Sequence, residues 1–246
     1  MTNSTTFLTL PAEIRLRVYD FLLVSRSDQI EFPFRGAGGP YLQCIAINYI
    51  PVPKYIEPGI AQTCKQIHHE SNTILYSQNV FLSEAPDMML AFLRRVGLAN
   101  VKLIKSLRLW VSHRAKLAPW LQLLTLLAKD ATGLRYVEIV WSAAPDDPLS
   151  LPQRAIDRGL GDNLDFVRAL GKIQGLDNLI IKGCYAKNWP AYLERTMAVQ
   201  VRAVSIEEQC EDMKEMALGH ESFREIVERA TREFRNFQEG TEDLIP

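Results

Sequence analysis

The chain has 246 residues, 28 Lys and Arg against 29 Asp and Glu, and is 47% hydrophobic and 23% charged. That length holds one large domain or two small ones with a sizeable core, and the composition is ordinary for a water-soluble globular protein. A net charge of −1 excludes a chain that traps nucleic acid or membrane by its overall charge.

Met1–Thr6 has neither a basic stretch nor an apolar run, so no signal peptide is expected. The longest nearly apolar run, Leu117–Ala128, is too short to span a bilayer, so no membrane association is expected. Cys44, Cys64, Cys184 and Cys210 lie far apart and fit no disulfide scaffold, which points to reduced thiols in the cytoplasm or nucleus. Charge is unevenly spread. Residues 88–129 hold 8 basic groups and no acid, whereas residues 205–246 hold 5 basic and 12 acidic groups.

Phe7–Leu23 predicts an amphipathic helix, with Pro11 at its first position and Glu13 placed to reach back to the free amides. Ile14, Val18, Phe21 and Leu22 recur at helical spacing as one apolar stripe, and Arg15, Arg17 and Asp20 lie mostly off it. So near a chain end, this stripe is either a lid on the following domain or a docking surface. Ser25–Glu57 is rich in Pro and Gly. Its turn run at Arg35–Pro40 sits between β-leaning pieces at Gln29–Phe34 and Tyr41–Ile50, which predicts a hairpin. Ile60–Tyr76 predicts a helix with a face of Ile60, Cys64, Ile67, Ser71, Ile74 and Leu75, followed by a turn and short strand in Ser77–Leu82.

A repeat-like rhythm follows. Helices are expected at Asp87–Val96, Pro119–Ala131, Leu164–Ile173 and Pro190–Val199, and strands at Ile104–Val111, Leu134–Trp141 and Leu176–Ile181. Leu107, Leu109 and Val111 share one strand face, Arg108 points off it, and Leu107, Val137 and Leu179 align from strand to strand. Strand–helix–strand units at this spacing predict a small parallel sheet, hence an α/β fold. The strands after Gly133 and Gly175 look like leucine-rich-repeat strands. Two capping boxes, Ser205–Glu208 and Ser222–Glu225, open two C-terminal helices; behind the second runs a stripe of Phe223, Ile226, Val227, Ala230, Phe234 and Phe237. The expected organisation is a helical region at 7–85 with an insert at 25–57, a β-α repeat region at 86–204 and a helical cap at 205–239.

Two blocks carry a family resemblance. LPAEIRLRVYDFLL, at Leu10–Leu23, and QTCKQIHHESNTILYSQNVF, at Gln62–Phe81, resemble the paired LPxEIRxxIYxxLL and QTCRQIxxEAxxxLYxxNxF blocks of fungal F-box-like proteins. The resemblance implies a non-enzymatic interaction module. Its apolar positions would dock the Skp-type adaptor of a cullin–RING ubiquitin ligase while the repeats hold a protein substrate. Leu10, Pro11, Ile14, Val18 and Leu22 would make the first contacts, and Cys64 and Ile67 the second set. Ile67 stands where many F-boxes have tryptophan, and the blocks lie much farther apart than in an ordinary F-box. A stand-alone scaffold, its blocks packed only against each other, is the alternative.

The residues show little catalytic chemistry. There is no GxSxG elbow and no phosphate loop, and no cofactor is expected. Cys64 and His68 share a helix face, but with only Cys44 as an obvious third ligand no metal is expected. Arg94, Arg95, Lys102, Lys105, Arg108, Arg114 and Lys116, with Lys129, form a possible anion-binding stripe for nucleic acid or a phospholigand, with Trp110 and Trp120 nearby. Pairing with Glu207, Glu208, Glu211 and Asp212 is the favoured account of that stripe.

Overall fold

The computed structural model describes residues 6–25, 30–31, 56–83, 85–112, 115–141 and 159–204, together with positions 232, 235, 236, 239 and 240. After a 3-10 turn at Phe7–Thr9 come α1 (Ala12–Leu23), β1 (Ile30–Glu31) and a second 3-10 turn at Pro58–Gln62. Then follow α2 (Lys65–Ser77), β2 (Val80–Ser83), α3 (Pro86–Val101), β3 (Ser106–Val111), α4 (Leu117–Asp130), β4 (Tyr136–Trp141), α5 (Leu164–Leu170), β5 (Asn178–Gly183), α6 (Trp189–Met197) and β6 (Val201–Ala203).

The fold is α/β. Six parallel strands lie side by side in chain order, β1 to β6. Sequential parallel order makes each strand–helix unit stack on the one before, as in a solenoid. The aligned leucines set the register: Leu107 pairs with Val137 and Val137 with Leu179, and the row extends to Phe81 on one side and Val201 on the other.

Strand periodicity separates two faces. Phe81, Leu107, Leu109, Val111, Val137, Ile139, Trp141, Leu179 and Ile181 are all buried, in one core with side chains of α3, α4, α5 and α6 such as Leu93, Leu124, Phe166 and Leu193. At the C-terminal ends of β4 and β5 this core is aromatic. The Trp141 ring lies 5.7 Å from Phe166, 5.9 Å from Tyr185 and 5.4 Å from Trp189, centroid to centroid. Such pairs contribute about 0.5–1.5 kcal/mol each beyond the area they bury.

Several expectations shift. α1 starts at Ala12, with Pro11 one position before it, and Glu13 makes no cap bond. The expected helix at Ile60–Tyr76 is a 3-10 turn and then α2, because Cys64 takes an extended conformation between them. α3 runs on past Val96, but it breaks at Gly97, whose φ of 79° no helix contains. Apart from Ile30–Glu31, which pairs in parallel with Phe81–Leu82, the expected hairpin lies outside the described residues. So do the two C-terminal helices, of which only Arg232, Arg235, Asn236 and Glu239 are described, as helical.

Gly183 ends β5 at φ +82°, where a Cβ would run into the Trp141 carbonyl of the neighbouring strand. Left-handed backbone and a backbone clash act together here, so Gly183→Ala is expected to destabilise the fold by about 3 kcal/mol, read as a lower urea midpoint with an unchanged m-value.

Candidate interaction surfaces

α1 faces α2 with residues that periodicity did not select. The buried face is Arg15, Tyr19 and Leu23, packed with Ile67, Ile74 and Leu75 of α2. Arg15 is inside because every part of its guanidinium has a partner. Nε and Nη2 donate to the Glu70 carboxylate at 3.0 and 2.7 Å, and Nη1 donates to the Leu10 carbonyl at 2.6 Å. The Tyr19 hydroxyl donates to Glu70 at 2.9 Å, as does the Gln66 amide. One carboxylate on α2 thus ties together α1 and, through Arg15, the turn that precedes it. A second tie is Asn79, 2% exposed, whose amide donates to the Leu23 and Leu75 carbonyls at 2.8 and 2.7 Å while its oxygen accepts from the Ser25 N–H at 2.8 Å.

The bonds from Arg15 and then Gln66 hold the Glu70 carboxyl down at about 2 against an ordinary 4.5. Burial, then the bond to Glu70, pushes the Tyr19 hydroxyl up to about 12. A depressed carboxyl stabilises the fold fully above its unfolded value and loses that contribution as pH falls through the folded one. Stability of the wild type is therefore expected to fall between pH 4.5 and about 2 more steeply than that of Glu70→Gln, measured as urea midpoint against pH.

With Arg15, Tyr19 and Leu23 turned inward, Ile14 and Phe21 of the predicted stripe turn outward, while Leu22 packs against the α1–α2 core. Ile14 is 43% and Phe21 56% exposed, and Leu8 in the preceding turn is 42% exposed. Leu10, Val18 and Leu22 are half-buried and Pro11 is exposed. Of the second set, Cys64 is half-buried and Ile67 is a core residue at 8% exposure, so Ile67 supports α1 from beneath rather than offering a surface. His68 is engaged at both ring nitrogens, by the Ala61 carbonyl at 3.0 Å and the Asn72 amide at 3.2 Å. Among the described residues no three His, Cys, Asp or Glu side chains gather as metal ligands.

Among the described residues the basic segment is divided between the helix layer, with its adjoining turns, and the opposite face of the sheet. Arg94 and Arg95 are exposed on α3, Lys102 and Lys105 lie in the turn before β3, and Lys116 precedes α4. Arg108 points out of the opposite face of the sheet. Trp120 is a core residue at 1% exposure. Arg114 and the pairing with Glu207, Glu208, Glu211 and Asp212 lie outside the described residues. Arg108 has another partner. Its Nε and Nη2 each donate to Glu138 on β4 at 2.8 Å, while Lys182 Nζ on β5 donates to the other carboxylate oxygen at 2.9 Å and the Tyr136 hydroxyl donates at 3.0 Å. Burial works to raise the Glu138 carboxyl, but the Lys182 bond and the two cations outweigh it and hold the group below its ordinary value.

Sequence reasoning missed this cluster although a signal was present: the alignment of Leu107 with Val137 sets Arg108 directly opposite Glu138. Burial pushes the Cys184 thiol up to about 12, which disfavours the thiolate. No helix of the described residues is long and apolar enough to cross a membrane. Compared with known proteins, the chain matches no family model, no curated protein and no solved structure.

Proposed function

We propose that this is an F-box-like interaction protein that docks a Skp-type adaptor through α1 and the turn before it, and so serves as a substrate receptor of a cullin–RING ubiquitin ligase in the cytoplasm or nucleus. One observation carries the reading. Of the side chains that the resemblance assigns to docking, Pro11 and Ile14 are exposed, as is Leu8 in the preceding turn, on a helix whose other side is fastened to α2. Large apolar side chains clustered in the open mark interaction surfaces. A surface fixed before binding loses less entropy on docking than a mobile one. The reading requires no cofactor and no catalytic group.

The test is retention of purified Skp adaptor on the immobilised full chain, beside a matched chain carrying Ile14→Glu and Val18→Glu. Retention by the wild type alone supports docking. No retention by either leaves a stand-alone scaffold, in which the two blocks serve only to join α1 to α2.

A further inference from the structure

The sheet face away from the helices is chemically distinct from the helix-covered one. Across it run the rows Leu82–Arg108–Glu138–Ile180–Arg202 and Trp110–Val140–Lys182. Only Glu138 is fully buried in these rows. Its side chain is 4% exposed, against 21% for Arg108 and 32% for Lys182. Two cations therefore share one carboxylate, which leaves one positive charge in excess on a partly dried surface. Glu138 does not use Arg108 Nη1, and it takes only one of the three donors on Lys182 Nζ. Beside these donors lie Trp110, Val140 and Ile180, all half-buried.

We propose that this face, which no described helix covers, centred on Arg108, Glu138 and Lys182, binds an acidic peptide segment of a partner protein. A carboxylate of the peptide meets Arg108 and Lys182, and an apolar side chain beside it rests on Trp110 and Val140. Charge complementarity selects the occupant. Within the Arg108–Glu138–Lys182 cluster the surplus is a single charge, held in surroundings of lower effective dielectric than water, where an opposing carboxylate gains more than in bulk solvent. Apolar flanks favour a peptide, with its alternation of side chains, over a polyanion. Nucleic acid gains its affinity from many phosphate contacts, and the other described cations of residues 88–129 lie on the helix layer or in the turns beside it. The proposal is independent of adaptor docking, which uses a different surface.

The experiment is fluorescence anisotropy with a labelled peptide of alternating Glu and Leu, titrated with the full chain. A Lys-for-Glu peptide and a labelled uridine oligonucleotide serve as comparison probes. The wild type is expected to bind the acidic peptide in preference to both, more weakly at high salt. Lys182→Ala leaves Glu138 its bonds to Arg108 and Tyr136, and Trp110→Ala alters a half-buried position, so both variants should fold, as circular dichroism will verify. Lys182→Ala is expected to weaken binding about tenfold and Trp110→Ala by a comparable factor. Absence of binding by the folded wild type would overturn the proposal. Binding unchanged in both folded variants, or preference for the oligonucleotide, would overturn it equally.

Discussion

Glutamate at both Ile14 and Val18 is expected to weaken adaptor binding about a hundredfold or more while the chain stays folded. The size follows from where the charges land. Truncating a central apolar anchor costs an interface about 2 kcal/mol or more, and a charge buried against the partner without a counter-ion adds to that. The free protein escapes most of this cost, because Ile14 is 43% exposed and Val18 half-buried, so both carboxylates keep contact with water. The face that holds α1 in place, Arg15, Tyr19 and Leu23, is untouched. Circular dichroism and the urea midpoint check folding, and Ile14→Glu alone provides a milder variant with the same expected direction. Ile67→Glu should behave in the opposite way: it places a charge in the α1–α2 core and should unfold the N-terminal region together with any docking.

Glu138→Ala is expected to cost about 3 kcal/mol, a fall in Tm of about 6–12 °C for a domain of this size. The carboxylate lies under two cations and a phenol across three strands, and without it Arg108, Lys182 and the Tyr136 hydroxyl all lose their partner at once. Arg108 and Lys182 keep some access to water, which is why the cost sits at the low end of the range for broken buried pairs. A double-mutant cycle on Arg108 and Glu138 should show a coupling of about 1–2 kcal/mol, which separates the pair from loss of packing.

The repeat region was legible because its strands and helices have different periods and its strands align. Leu107, Val137 and Leu179 fall in one row, and the helices between them lie close to where the apolar spacing put them. β6 was not legible, since three residues carry too little pattern, and its Val201 pairs with Leu179 only once α6 has turned the chain back.

The orientation of α1 was not legible from periodicity either. An apolar stripe advertises Ile14, Val18, Phe21 and Leu22, but the side that goes inward holds an arginine and a tyrosine. Glu70, 55 residues after Arg15, accepts from both and so satisfies their polar groups inside. Yet the paired blocks contain the answer in letters. The Arg and Tyr of LPxEIRxxIYxxLL and the Glu and Asn of the second block are Arg15, Tyr19, Glu70 and Asn79, which bond across the α1–α2 junction. These four residues of the two blocks thus join one block to the other, and the surface that the proposed docking would use is smaller: Leu8, Leu10, Pro11, Ile14 and Val18.

That surface can be mapped directly by hydrogen–deuterium exchange of the full chain with and without purified Skp adaptor. Adaptor docking through α1 predicts slowed exchange at the amides of residues 8–22, with β3 to β5 unchanged. A chain that forms no complex with the adaptor, or whose protection falls on the sheet and leaves residues 8–22 unaltered, would contradict it.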